Sequence, residues 1–291
     1  MTTIKLIAVD LDGTLLNSKH ELTERTEKAL KAAMEKGVQV ILATGKTRAS
    51  ATRWIDRLGL QSPGIYLQGL AVYDGDGTLR HQQVLDPDVA RQVITYAEDR
   101  GFDVAAYSGQ QIIMRGASKH ADAITEFQEP GLDFAGPLQN LLGEMPINKL
   151  IALGDPKRIK ALRWQLGMQL NGSARLMQTQ LGNMLEILPP GASKGVALRG
   201  LLKEMEVPAE HVLAIGDAEN DIEMIQLAGI GVAVGNASQA LKDVADHVVA
   251  SNDADGVAEA VERFVPGIEK SASSTEKSTT DPQISEDKTT A

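Results

Sequence analysis

Short apolar runs alternate with segments whose apolar residues recur every three or four positions through the first eighty residues. "IKLIAVD" (4–10) and "VQVILATG" (38–45) read as strands, while "TERTEKALKAAMEKG" (23–37) and "RASATRWIDRLGL" (48–60) read as amphipathic helices. In the first helix Leu30, Ala33 and Met34 share a face and Gly37 supplies the stop. Strands that are almost continuously Val, Ile, Leu and Ala, separated by helices, imply a parallel sheet covered on both faces. The rhythm returns late in the chain. A helix is expected from "SKGVALRGLLKEM" (193–205), a strand from "HVLAIGD" (211–217), a helix from "NDIEMIQLAG" (220–229), strands from "IGVAVGN" (230–236) and "HVVAS" (247–251), and a closing helix from "DADGVAEAVERFV" (253–265).

Residues 84–188 follow a different pattern. Two helical stretches, "DPDVARQVITYAEDRG" and "PKRIKALRWQLGMQ", are mixed with a strand "INKLIALG" and two hairpins, one turning at Ser108-Gly109 and one near Gly182. This is the pattern of an α+β module with an antiparallel sheet. The expected fold class is therefore α/β: a Rossmann-like parallel core from residues 1–83 and 189–266, with an α+β cap, residues 84–188, inserted between its pieces. Residues 120–142 show no clear period, and residues 267–291, polar and Ser/Thr-rich, are expected to be a disordered tail.

Composition narrows the partners. The 291 residues carry a formal net charge of -10, which disfavours nucleic acid and anionic membrane surfaces. With no cysteine, disulfides, thiolate nucleophiles and cysteine-ligated metals are excluded. No apolar run approaches the roughly 18 residues that span a bilayer, and the first strand begins within a few residues of Met1, so a cytoplasmic location is expected.

Ligands of open parallel sheets bind beyond the carboxyl ends of the strands. There the first strand delivers Asp10 and Asp12, the second Thr44 and Gly45, and the strand "HVLAIG" delivers Asp217, with Asn220 and Asp221 just beyond; Lys194 heads the preceding helix. Two carboxylates about 4 Å apart repel by roughly 4 kcal/mol at an effective dielectric near 20, so Asp10 and Asp217 call for a cation between them. Mg2+ suits one or two carboxylates, some waters and a phosphate oxygen. One aspartate can then attack phosphorus, and a second, two residues on, can protonate the leaving alkoxide and later activate water. Thr44 and Lys194 can hold the transferred oxygens, and Thr14 can brace the acids.

In this order, "DLDGTLL", "LATG", "SKG" and "GDAEND", with a large insert between the second and third, resemble the haloacid dehalogenase superfamily of phosphatases, in its Cof-type branch, over residues 4 to 265. The resemblance implies Asp10 as nucleophile and Asp12 as general acid and base. It further implies Mg2+ held by Asp10, Asp217 and the backbone carbonyl of Asp12, Asp221 supporting that site, and Thr44, Asn220 and Lys194 around the phosphoryl group. The insert would be a cap that selects a small phosphorylated metabolite: a sugar phosphate, a nucleotide, or a cofactor such as flavin mononucleotide or pyridoxal phosphate. Two positions depart from the family pattern and border the substrate entrance: Lys46, where relatives often carry Arg, and Gln68, where they often carry Asn.

Rival readings are a phosphomutase on the same core, a non-catalytic phospho-acceptor module, and a serine hydrolase in which "GASKG" presents Ser193, with Asp217 and His247 following in triad order. Pro189-Pro190 obstruct the strand such an elbow needs. A nucleotide P-loop at "GKT" fails because Val40 stands where glycine is required. The five histidines, His20 among them, have no metal-ligand spacing and are expected to be ordinary surface or packed residues, as Arg48 and Arg53 are expected to be a solvated helix face. Residues Gly182 to Glu186 and Tyr107 to Gln111 are candidates for substrate selection. A second "DGDGT" string, at Asp74 and Asp76, lies between "GLAVY" and "TLRHQQVL", where a solvent-exposed hairpin turn is expected.

Overall fold

A computed structural model describes residues 3–118, 120, 124, 131–179 and 182–268. Leu6–Val9 (β1) runs into a tight loop and then helix Glu24–Glu35 (α1). Gln39–Leu42 (β2), Arg48–Leu58 (α2), Gly64–Tyr66 (β3), Ala71–Tyr73 (β4) and Leu79–Gln82 (β5) follow. The middle of the chain supplies Pro87–Glu98 (α3), Asp103–Ser108 (β6), Gln111–Met114 (β7), Leu132–Phe134 (β8), Lys149–Leu153 (β9), Pro156–Leu170 (α4), Arg175–Gln178 (β10) and Met184–Leu188 (β11). The last part contains Lys194–Glu204 (α5), Val212–Gly216 (β12), Ile222–Leu227 (α6), Ile230–Ala233 (β13), Gln239–Lys242 (α7), His247–Val248 (β14) and Gly256–Phe264 (α8).

The expected fold class is observed. One sheet is wholly parallel, in the order β14-β13-β12-β1-β2, with β1 between β12 and β2. Its register aligns Val9 with both Ile215 and Leu42, so the residues after these three strands emerge at one edge. β1 and β12 are buried along their whole length, as their unbroken apolar sequences require. Side-chain caps set the helix starts: Thr23, Thr47 and Ser193 accept from the backbone N–H groups of Thr26, Ser50 and Val196, each worth about 1 kcal/mol.

A second, antiparallel sheet, β3-β4-β5, meets the first through the Ala43–Ile65 bridge. The third sheet, in the order β10-β11-β9-β6-β7-β8, is antiparallel except between β7 and β8. Period-two alternation divides its residues. Val104, Ala106, Leu150, Ala152, Leu185 and Ile187 pack with Val93, Ile94 and Leu162 of α3 and α4. Their alternates, including Tyr107, Ile151 and Met184, belong instead to the apolar cluster that contains the core of the parallel sheet. The third sheet therefore has one helix-covered face and one face turned to the core. Its first hairpin turns at Gly109-Gln110, one residue later than expected, because Ser108 still pairs with Gln111. Most of the expected tail lies outside the described residues, as does part of the 120–142 stretch. No described helix is long and apolar enough to cross a membrane.

Candidate active site

Asp10 leaves β1 with its backbone N–H still bonded to the Ile215 carbonyl at 3.0 Å, which fixes it beside the end of β12. The chain then makes one wide turn, closed by Leu15 N–H to Asp10 O and Leu16 N–H to Leu11 O. Gly13 permits that turn twice over. Its φ is +76°, and a Cβ there would lie 2.6 Å from Asp217 Oδ2. The turn brings Thr14 Oγ1 to Asp217, to whose Oδ1 it donates at 3.0 Å.

Lys194, at the start of α5, is 1% exposed and donates to Asp10 Oδ1 at 2.6 Å and to Asp221 Oδ1 at 2.7 Å. The other oxygen of Asp221 accepts from the N–H groups of Asp217 and Ala218, both at 3.1 Å. Asp221 is thus committed to holding the loop and the lysine. Asp10 and Asp217 face each other across the strand ends, and one oxygen from each of these three acids lies within 4.8 Å of the others. Burial raises the Asp10 carboxyl well above its ordinary value; Lys194 pulls it down, but Asp221 and Asp217 add repulsion. Burial likewise raises Asp217, with Asp221 adding to it and Thr14 opposing. Burial lowers the lysine's affinity for its proton, yet Asp10 and Asp221 more than offset this and leave its pKa raised. Two hard carboxylates that resist ionising side by side, with Asp221's oxygens already engaged, fit a small divalent cation taken by Asp10 and Asp217.

These acids open onto a cleft of about 360 Å3. Asp12 points into it from the turn. Its Oδ1 is shielded from solvent with no hydrogen-bond partner, lying 3.5 Å from Lys46 Nζ and 3.4 Å from His20 Nδ1. On the β2 side Thr44 and Gly45 line the cleft. Thr44 does not cap α2; that is Thr47, while Thr44 Oγ1 accepts from Lys46 N–H at 3.2 Å. Asn220 Nδ2 donates to Gln68 Oε1 at 2.9 Å, joining two loops 152 residues apart. Gln68 sits at φ +62°, and a Cβ on Gly45 would meet its amide nitrogen at 2.5 Å, so its side chain needs the glycine. Lys194 lies behind the acids and is absent from the cleft wall. Tyr107, Lys149, Ile151, Met184 and Glu186 of the third sheet form the facing wall.

The expected catalytic, metal and phosphate-binding residues therefore lie together at one strand edge, while of the candidates for substrate selection Tyr107, Met184 and Glu186 line the facing wall and Leu185 packs against the helices instead; several expectations need correction. His20 is a cleft residue, brought to Asp12 by a backbone excursion at φ +56° that its sequence does not signal. Lys149 was missed as well; the signal was a lone charge inside the apolar strand "INKLIAL". Arg48 is half-buried and donates to the Gly75 carbonyl at 3.0 Å, which fastens the β4–β5 turn. In that turn Asp76 is exposed as expected, whereas Asp74 is half-buried and ion-paired with Arg80 at 2.6 Å. Ser193 Oγ accepts from Val196 N–H and donates to Glu223, and no described histidine is among its hydrogen-bond partners.

A parallel sheet with paired aspartates at its carboxyl edge thus faces the third sheet across the cleft. The chain belongs to the haloacid dehalogenase-like hydrolases, matching that family over residues 7–261, and the Cof-type branch expected from its motifs holds. Over 269 residues it is 37% identical to the chloroplastic endoribonuclease YBEY of Arabidopsis thaliana, covering 89% of this chain but only 46% of that protein. The chain thus spans less than half the length of that relative. It is 29% identical over 285 residues to phosphatase YwpJ of Bacillus subtilis, covering 90% of this chain and 100% of that one. A crystal structure of a haloacid dehalogenase-like hydrolase from Bacteroides thetaiotaomicron superposes with a TM-score of 0.84 at 28% identity, covering 90% of this chain and 100% of that one.

Proposed function

We propose that the chain is a Mg2+-dependent phosphatase of small phosphomonoesters that works through an aspartyl-phosphate on Asp10. The observation that carries this reading is the buried Asp10 carboxylate, pinned by Lys194 at 2.6 Å beside Asp217, with Asp12 opening on the same cleft. The similarity to phosphatase YwpJ supports it. Asp10, Asp217 and the backbone carbonyl of Asp12 would hold the ion, whose chemistry there is to neutralise phosphoryl charge and permit both carboxylates to ionise.

Asp10 attacks phosphorus as the ester P–O bond breaks, and Asp12 gives its proton to the departing alkoxide. Asp12, now a carboxylate, takes a proton from water. The hydroxide formed attacks phosphorus, releasing phosphate and restoring Asp10. Thr44, Gly45 and Asn220 surround the phosphoryl oxygens, while Lys194 orients Asp10 from behind. Residues 84–188 act as the cap over a core of residues 1–83 and 189–266, and a small phosphorylated metabolite is the substrate.

Phosphate release from p-nitrophenyl phosphate tests this. It should require Mg2+, vanish on chelation and in Asp10→Asn, and fall by about 10^2–10^4 in Asp12→Asn. Undiminished turnover in Asp10→Asn would sink the reading.

A further inference from the structure

A lysine and a glutamate buried in a sheet that could have been wholly apolar need an explanation, because each charge loses its hydration and a buried pair seldom repays that loss. Lys149 is 2% exposed and Glu186 9%. They lie on neighbouring strands, β9 and β11, and alternation turns both to the face with Tyr107, Ile151 and Met184, toward the cleft. Lys149 Nζ is 3.2 Å from Glu186 Oε2 and 4.7 Å from the centre of the Tyr107 ring. The same ammonium crosses the cleft and donates to the Gly45 carbonyl at 3.1 Å, touching the loop that borders the phosphoryl site.

Its position is fixed from below. Asn148, fully buried, donates to the Gln83 carbonyl and accepts from Gly109 N–H, both at 2.7 Å, so the start of β9 is tied to the strand entry and to the first hairpin. An ammonium held by a carboxylate, a carbonyl and a ring face is a preorganised recognition group.

We propose that Lys149 and Glu186 read the leaving group, selecting phosphomonoesters whose alcohol is uncharged and bears hydroxyls; the proposal rests on the phosphatase reading above. A hydroxyl set against the pair accepts from Lys149 and donates to Glu186, so neither charge loses a partner. An alkyl chain in the same place would strip water from both without replacing it. A second anionic group set against the pair would meet the Glu186 carboxylate, to which, unlike a hydroxyl, it has no proton to donate.

Three six-carbon probes with one phosphate separate these cases: D-glucitol 6-phosphate, hexyl phosphate and 6-phosphogluconate. In the wild-type enzyme kcat/KM should be highest for the glucitol ester. Lys149→Met should reduce its preference over hexyl phosphate about tenfold or more. Glu186→Gln should improve 6-phosphogluconate relative to the glucitol ester, again by about tenfold. Both shifts should lie mainly in KM. If the Lys149→Met protein does not fold, the near-isosteric Glu186→Gln carries the test. A wild-type preference for hexyl phosphate or 6-phosphogluconate, or ratios unchanged within about twofold in the folded variants, would overturn the proposal. Asp10→Asn run in parallel must abolish hydrolysis of all three probes; if it does not, the phosphatase reading has failed and not the assignment of Lys149 and Glu186.

Discussion

Asp10 and Asp76 belong to the two copies of one D-x-D-G-T string, as the first acid of one and the second acid of the other, and stand in opposite surroundings. Asp10 is buried at the end of a parallel strand with a lysine 2.6 Å away; Asp76 sits exposed in a turn, accepting from Thr78 N–H at 2.8 Å. Asp76→Ala should leave kcat/KM for p-nitrophenyl phosphate within about twofold of wild type, since surface changes away from a site rarely matter. Lys194→Met should do the reverse. It leaves Asp10 and Asp221 buried without their counter-charge, and about 3–5 kcal/mol of stability should be lost in a urea titration. A loss below about 1 kcal/mol would mean that the two buried ion pairs contribute no net stability. At this scale the sequence showed the acids because strand and motif announce them. Lys194 was legible only through its company, and its place behind the acids was not. His20 was unreadable, because its position depends on one left-handed residue.

Ser193 shows how an element can imitate a site. Its Oγ caps α5, the helix that places Lys194, and donates to Glu223 of α6. Ser193→Ala should therefore cost about 1 kcal/mol of unfolding free energy while phosphate release stays within a few-fold of wild type. Abolished turnover in a folded variant, together with labelling of the wild type by a fluorophosphonate, would favour a serine nucleophile instead. The strands and helices of the parallel sheet were legible because each is nearly all apolar or strictly periodic. β8 was not, since Leu132–Phe134 is short and largely exposed and, among the described residues, pairs with β7 alone. Nor was the isolation of the three-stranded sheet, which hangs on the Ala43–Ile65 bridge and on Thr44 N–H donating to the Ile65 carbonyl, contacts between residues twenty-one or more apart. Local pattern sets the elements; which edges meet depends on the whole chain.

The balance of charge at the strand ends should give the whole molecule a stability that depends on pH and, through the proposed ion, on metal. Asp10 and Asp217 are both raised, chiefly by burial, from an ordinary value of 3.8. Between that value and the raised one the folded chain holds protons that the unfolded chain has released, so unfolding free energy falls as pH rises through the raised values. The contribution of these two groups is complete below about pH 3.8 and lost as pH rises through the raised values when no cation is bound. A divalent cation binding the ionised pair reverses the sign, because it favours the deprotonated folded state. Mg2+ at about a hundred times its dissociation constant should add about 2.7 kcal/mol at pH 7.5, and much less at pH 4.5 where protons compete for the same oxygens. Urea titrations across that range, in EDTA and in MgCl2, measure both slopes. Asp217→Asn removes one of the two repelling carboxylates, so it should flatten the slope in EDTA and abolish most of the Mg2+ effect. Equal Mg2+ stabilisation of wild type and Asp217→Asn would place the ion elsewhere.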